Sequence, residues 1–133
     1  MYLLDTDVCS YFLRDRHGLR EKFERTDPLA LHVSRVTIAE LLVLAYKNPL
    51  SLINARRVEE LARALVFIEA DEPAWAMFSA TKARLLRRGR PAGDFDILQA
   101  SIAMTHDLTL VTNNEAHYRA MDVRLQNWVT GGP

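Results

Sequence analysis

The chain has 133 residues, 49% of them hydrophobic and 26% charged, an ordinary globular composition that sets disorder aside. Its 17 Lys and Arg balance 17 Asp and Glu, which argues against a protein that holds nucleic acid by bulk charge. A single cysteine, Cys9, excludes an internal disulfide framework or a Cys-rich zinc module and points to a reducing, cytoplasmic setting.

The length predicts one domain over residues 1–133. Residues Met1 to Asp5 lack the basic lead-in of a secretory signal, and no run approaches the ~18 apolar residues of a membrane span. Tyr2 to Asp5 reads as a buried strand, followed by helices over Asp7 to Leu13 and Gly18 to Arg25. A second strand is expected over Ala30 to Ser34. An apolar helix follows from Thr37 to Tyr46, stopping near Pro49, and another helix from Ser51 to Ala64. Leu65 to Ala70 is a third strand, Pro73 to Arg88 a helix closed by Gly89, and Asp94 to His106 a strongly apolar helix. Leu108 to Val111, a helical turn over Glu115 to Met121, and a last strand at Val123 to Leu125 complete the chain. Wholly apolar strands alternating with helices predict an α/β fold: a three-layer α/β/α sandwich around a mainly parallel sheet. Chemistry in such folds gathers at the carboxyl edge of the sheet.

The acids fall where that edge should be. Asp5 and Asp7 follow the first strand, Glu40 the second, and Asp94 and Asp96 open the late apolar helix, while Asn114 and Glu115 follow the Leu108 to Val111 strand. Two bare carboxylates ~5 Å apart repel by about 3 kcal/mol at an effective dielectric of ~20. Such a cluster needs separation, protons or a cation, and an all-oxygen set suits Mg²⁺ or Mn²⁺. Local explanations compete: Thr37 and Glu40 fit a capping box, Asp7 and Asp94 fit plain N-caps, and Asp96 fits a helix-dipole acid. Asp5 resists this treatment, because it ends an apolar strand where an unpaired charge is penalised.

Four segments together resemble the PIN-domain ribonucleases, and among them the VapC-like toxins of toxin–antitoxin pairs. They are Leu3-Leu4-Asp5-Thr6-Asp7, Val36-Thr37-Ile38-Ala39-Glu40-Leu41, Pro91 through Ala100, and Leu110-Val111-Thr112-Asn113-Asn114, with Val123 to Trp128 as a matching tail. The resemblance spans nearly the whole chain. It implies a PIN-like fold, an Mg²⁺- or Mn²⁺-dependent endoribonuclease, and Asp5, Glu40 and Asp96 as metal-binding carboxylates. It also implies a homodimer, a VapB-like antitoxin covering the site, and an RNA substrate, commonly tRNA, cut to leave a 5′-phosphate and a 3′-hydroxyl. Asn114 stands where many members carry a fourth acid, and is expected to bridge through water. Asp7 stands where the family more often has Asn, and Asp94 is an additional acid; both, with Thr112, are candidate outer groups.

A basic run, Lys82 to Arg90, precedes the Asp94 segment. Arg84, Arg87 and Arg88 are spaced to share a helical face and, with Arg90, are candidate RNA contacts, although cations also favour a helix C-terminus. His17, His32, His106 and His117 show no zinc-ligand spacing. Two other readings remain. One is a PIN-like binding module without catalysis, suggested by Asn114. The other is a phosphoacceptor receiver domain, disfavoured because no Lys follows Lys82.

Overall fold

Strand β1 (Tyr2–Leu4) explains why helices lie on both sides of the sheet. Successive strand residues face opposite ways, and Leu3 and Leu4 are both fully buried in different cores. Leu4 packs with Val8, Cys9, Val33 and Leu41, whereas Leu3 packs with Leu85, Ile97, Leu110 and Tyr118. Strand β4 (Thr109–Val111) repeats the division, sending Leu110 to the second core and Val111 to the first. A sheet apolar on both faces requires cover on both.

In this computed structural model, which describes residues 1–48 and 50–130, that cover is unequal. Helices α1 (Thr6–Leu13), α2 (Leu19–Glu24), α3 (Arg35–Lys47) and α4 (Ala55–Ala64) build the first core. Helices α5 (Glu72–Arg87) and α6 (Asp94–Thr105) pack along each other and build the second. The remaining strands are β2 (Leu31–Ser34), β3 (Val66–Ile68) and β5 (Leu125–Gln126), and the sheet order is β3-β2-β1-β4-β5. Every neighbouring pair is parallel, with Tyr2 opposite Leu31 and Leu4 opposite Val111. This is the expected three-layer sandwich. The chain runs outward from β1 through β2 to β3, then returns to β1's other side at β4. The order therefore reverses between β1 and β4, the place where open α/β sheets form a crevice.

The departures are at element ends. Helix α3 starts at Arg35 with Ser34 as its N-cap, two residues before Thr37. Helix α4 starts at Ala55 rather than Ser51, because the Asn54 side chain caps it by accepting from the Arg57 amide at 3.0 Å. The last strand falls on Leu125–Gln126, and the helical turn after β4 is a short 3-10 turn, Glu115–His117. The stop expected near Pro49 falls at a residue outside those described; α3 ends at Lys47. No helix among the described residues is long and apolar enough to cross a membrane.

Candidate active site

Asp5 forms the floor of the site. The strand leaves it at the carboxyl edge, its amide donates to the Val111 carbonyl at 2.9 Å, and it is the N-cap of α1. Only 8% of it is exposed, so its charge depends on protein donors. One carboxylate oxygen accepts from the Thr6 amide at 2.9 Å and Gln99 Nε2 at 3.4 Å; the other accepts from Thr112 Oγ1 and the Tyr118 hydroxyl, both at 2.9 Å. A carboxylate offers about four acceptor positions. Asp5 is close to saturated.

Gln99 ties that floor to two further elements. Ser34 Oγ donates to Gln99 Oε1 at 2.5 Å, Gln99 Nε2 donates to Thr37 Oγ1 at 2.8 Å, and Thr37 Oγ1 donates to the Leu4 carbonyl at 3.1 Å. All three side chains are fully buried and all are partnered. Thr37 is therefore a strut between α3 and β1, and the capping box expected of Thr37 and Glu40 does not form. The helix had already begun.

Glu40 and Asp96 stand at the rim, with Asp7 beside the floor. Glu40 Oε1 accepts from Thr6 Oγ1 at 2.5 Å. Asp96, in the first turn of α6, lies 3.3 Å from the Tyr118 hydroxyl and 3.4 Å from His117 Nδ1. Burial raises the proton affinity of Glu40 above the usual carboxylate range, and the Asp5 and Asp96 charges add to it against the Thr6 hydrogen bond. Burial and the Asp5 charge raise Asp96 likewise, opposed by His117 and Tyr118. Asp7 sits in the first turn of α1, where Asp5 and not Asp7 is the N-cap. It accepts from the Asn113 amide and the Val8 amide, each at 2.8 Å, and burial together with the Asp5 charge pushes it up to about 6. Burial, then the Asp5 and Asp96 charges, raise the Tyr118 phenol, so it remains a donor at neutral pH.

The other candidates fall in different places. Thr112 touches both Asp5 and, at 3.5 Å, Asp7. Asn114 is exposed, and its amide donates to Thr112 Oγ1 at 3.0 Å. Asp94 is the first residue of α6 rather than its cap, which is Gly93, and it pairs with Lys82 at 2.7 Å on the outer surface. The face expected for Arg84, Arg87 and Arg88 is divided. Arg84 is half-buried at 3.8 Å from Asp122, while Arg87, Arg88 and Arg90 are exposed. Asp71, after β3, caps α5 through the Ala74 amide and pairs with His106.

Three residues of the site were not anticipated: Gln99, Tyr118 and His117. Gln99 left a trace, a lone amide between Leu98 and Ala100 in an otherwise apolar helix face. Tyr118 and His117 left none.

The donor set suits a hard divalent cation. All three carboxylates offer oxygens, and the Asp5 charge raises the proton affinity of both Glu40 and Asp96, so positive charge beside them is favourable. Among the described residues no three His, Cys, Asp or Glu side chains form a ready-made cage, so water would complete a cation's shell.

Comparison with known proteins identifies the family. Residues 2–122 match the PIN domain. Ribonuclease VapC2 of Haemophilus influenzae is 31% identical over 130 residues, covering 96% of this chain and 98% of that protein. The tRNA(fMet)-specific endonuclease VapC of Shigella flexneri is 29% identical over 129 residues, covering 96% and 97%. Among solved structures, the DNA-bound VapBC of Salmonella typhimurium superposes with a TM-score of 0.86 at 28% identity, over 96% of this chain and 97% of that one. With the Asp5 floor at the β1/β4 reversal and the match running almost end to end, the chain belongs to the PIN domain family, in its VapC ribonuclease branch.

Proposed function

We propose that this chain is an Mg²⁺- or Mn²⁺-dependent endoribonuclease that cuts tRNA in the cytoplasm and is held inactive by a VapB-like antitoxin. The observation that carries the reading is the electrostatically coupled set of Asp5, Glu40 and Asp96 at the carboxyl edge of the sheet. Relatedness to a tRNA(fMet)-specific endonuclease supports the tRNA substrate. The VapBC assemblies of Salmonella typhimurium and Rickettsia felis support the antitoxin.

Asp5, Glu40 and Asp96 would hold the cation, which supplies a water of lowered pKa and neutralises charge on the phosphate oxygens. The protein's own part is orientation. Thr6 fixes Glu40, Thr112 and Gln99 fix Asp5, and Tyr118 spans Asp5 and Asp96. Asn114, whose amide donates to Thr112 Oγ1, would bridge to the cation through water, with Asp7 and Thr112 as outer groups. Arg87, Arg88 and Arg90 offer exposed positive charge to the RNA backbone.

Purified protein incubated with total RNA should release discrete tRNA fragments in Mg²⁺ or Mn²⁺ and none in EDTA. An Asp96→Asn preparation should cut about 10²–10³-fold more slowly in Mg²⁺ or Mn²⁺ and not at all in EDTA. Intact RNA in every metal would favour a binding module without catalysis, and equal cleavage by the Asn variant would remove Asp96 from the mechanism.

A further inference from the structure

A cleft of about 540 Å³ opens beside Asp96, between the Gly89–Gly93 loop and the turn carrying Ala116, His117 and Ala120. That volume lies in the ~300–1,000 Å³ range of small-ligand sites. Its walls are made small: Gly89, Ala92, Gly93, Ala116 and Ala120 leave space instead of filling it.

Asp96 is one of its lining residues, and the other polar groups suit an anion. Helix α5 ends in a Schellman arrangement, with the Gly89 amide donating to the Leu86 carbonyl at 3.1 Å and the Arg90 amide to the Leu85 carbonyl at 2.9 Å. Gly89 takes the left-handed φ of +65° that this turn requires. The backbone of Arg90 is thereby fixed at the cleft wall. Lys82 and Arg84, earlier in the basic run, are paired with Asp94 and Asp122; Arg90 has no ion-pair partner among the described residues. Opposite it, His117 faces Asp96 through Nδ1, and its ring is 59% exposed, leaving Nε2 without a protein partner among the described residues. Helix α6 starts at the same wall, and its cap, Gly93, makes no side-chain bond to the first-turn amides. Uncapped amides at a helix start favour negative charge, part of which the first-turn Asp94 and Asp96 already supply.

We infer that this cleft seats the single nucleotide adjoining the bond to be cut. Arg90 takes its phosphate, and its base lies against the small apolar wall of Ala92 and Ala116. The inference rests on the ribonuclease reading and adds a subsite to it. It also assigns Arg90 a task different from that of Arg87 and Arg88, which lie on the approach and do not line the cleft.

Two variants and two readouts test this. Arg90→Ala removes the cation, and Ala116→Trp fills the space from an exposed turn position. On an RNA oligonucleotide each should raise KM about tenfold and leave kcat within about threefold, the pattern of lost ground-state binding. Independently, nucleoside 5′-monophosphates added to ¹⁵N-labelled wild type in EDTA should shift the Gly89, Gly93 and His117 amides. They should leave Ala116→Trp unmoved. Unchanged KM in both variants of an active enzyme would overturn the subsite and leave the nuclease standing. Monophosphate shifts elsewhere, or equal shifts with inorganic phosphate alone, would overturn the nucleotide assignment. If wild type cut no RNA, the ribonuclease reading would fall, and the amide shifts would still decide whether the cleft takes a nucleotide.

Discussion

The floor and the rim of the site contain the same chemical group in opposite circumstances. Asp5 is buried, held by two backbone-anchored positions and four donors. Glu40 and Asp96 are only half-buried, each with one or two side-chain contacts, and both are raised in proton affinity by burial and by the Asp5 charge. Hydrogen bonds to a carboxylate stabilise its ionised form, and a neighbouring like charge opposes it. The protein therefore fixes one charge firmly and sets others beside it at an electrostatic cost. That cost remains until a cation or protons offset it.

Removing a rim charge should separate activity from stability most sharply. Asp96→Asn is expected to lower RNA cleavage by about 10²–10³-fold, the scale seen when a group stabilising transition-state charge is lost. Its melting temperature in EDTA should hold or rise, because one member of a repelling set has gone. A variant that lost activity and melted much earlier would show Asp96 to be a structural acid.

The next effect is on pH. Burial and the Asp5 charge push the Asp7 carboxyl up to about 6 in the folded chain, from an ordinary 3.8. Between those values the folded state holds more protons than the unfolded state, so this group's contribution to stability falls as pH rises through the window and is constant above it. Asp7→Asn should therefore nearly match wild type near pH 4 and exceed it by about 3 kcal/mol at pH 7, at ~1.4 kcal/mol per pKa unit. Denaturant midpoints across that range in EDTA measure the difference. A gap independent of pH would mean that the Asn113 and Val8 amides outweigh burial and the Asp5 charge.

The floor was legible in part, for a physical reason. Leu3, Leu4, Leu110 and Val111 declare a doubly covered strand pair by composition alone, and Asp5 is conspicuous because nothing local explains a charge there. Glu40 and Asp96 also have local explanations as helix-start acids, so only the order of segments along the chain raised them above that. Gln99 and Tyr118 reach Asp5 from 94 and 113 residues away, and no local spacing encodes such contacts. Within the basic run, Arg84 approaches Asp122 at 3.8 Å, a partner invisible to helical periodicity.

Tyr118 joins floor to rim, and its removal tests whether the junction helps or hinders a cation. The phenol has one proton for two carboxylates, 2.9 Å from Asp5 and 3.3 Å from Asp96. Tyr118→Phe keeps the buried ring and frees an Asp5 acceptor position facing Asp96. Mn²⁺ should then bind about fivefold more tightly by calorimetry, the equivalent of about 1 kcal/mol for one net hydrogen bond. Weaker binding would show that the hydroxyl organises the carboxylates instead of occupying their shared space.

The smallest effect belongs to Asp94, two residues from Asp96 and chemically identical to it. Side chains two apart on a helix diverge, and here one enters the site while the other meets Lys82 on the surface. An exposed pair of this kind contributes about 0–1 kcal/mol. Asp94→Ala should shift stability by no more than about 0.5 kcal/mol and leave RNA cleavage and Mn²⁺ affinity at wild-type values. If the alanine variant instead lost metal affinity, Asp94 would have to leave Lys82 when the cation arrives, and the rim would include an acid that this structure places outside it.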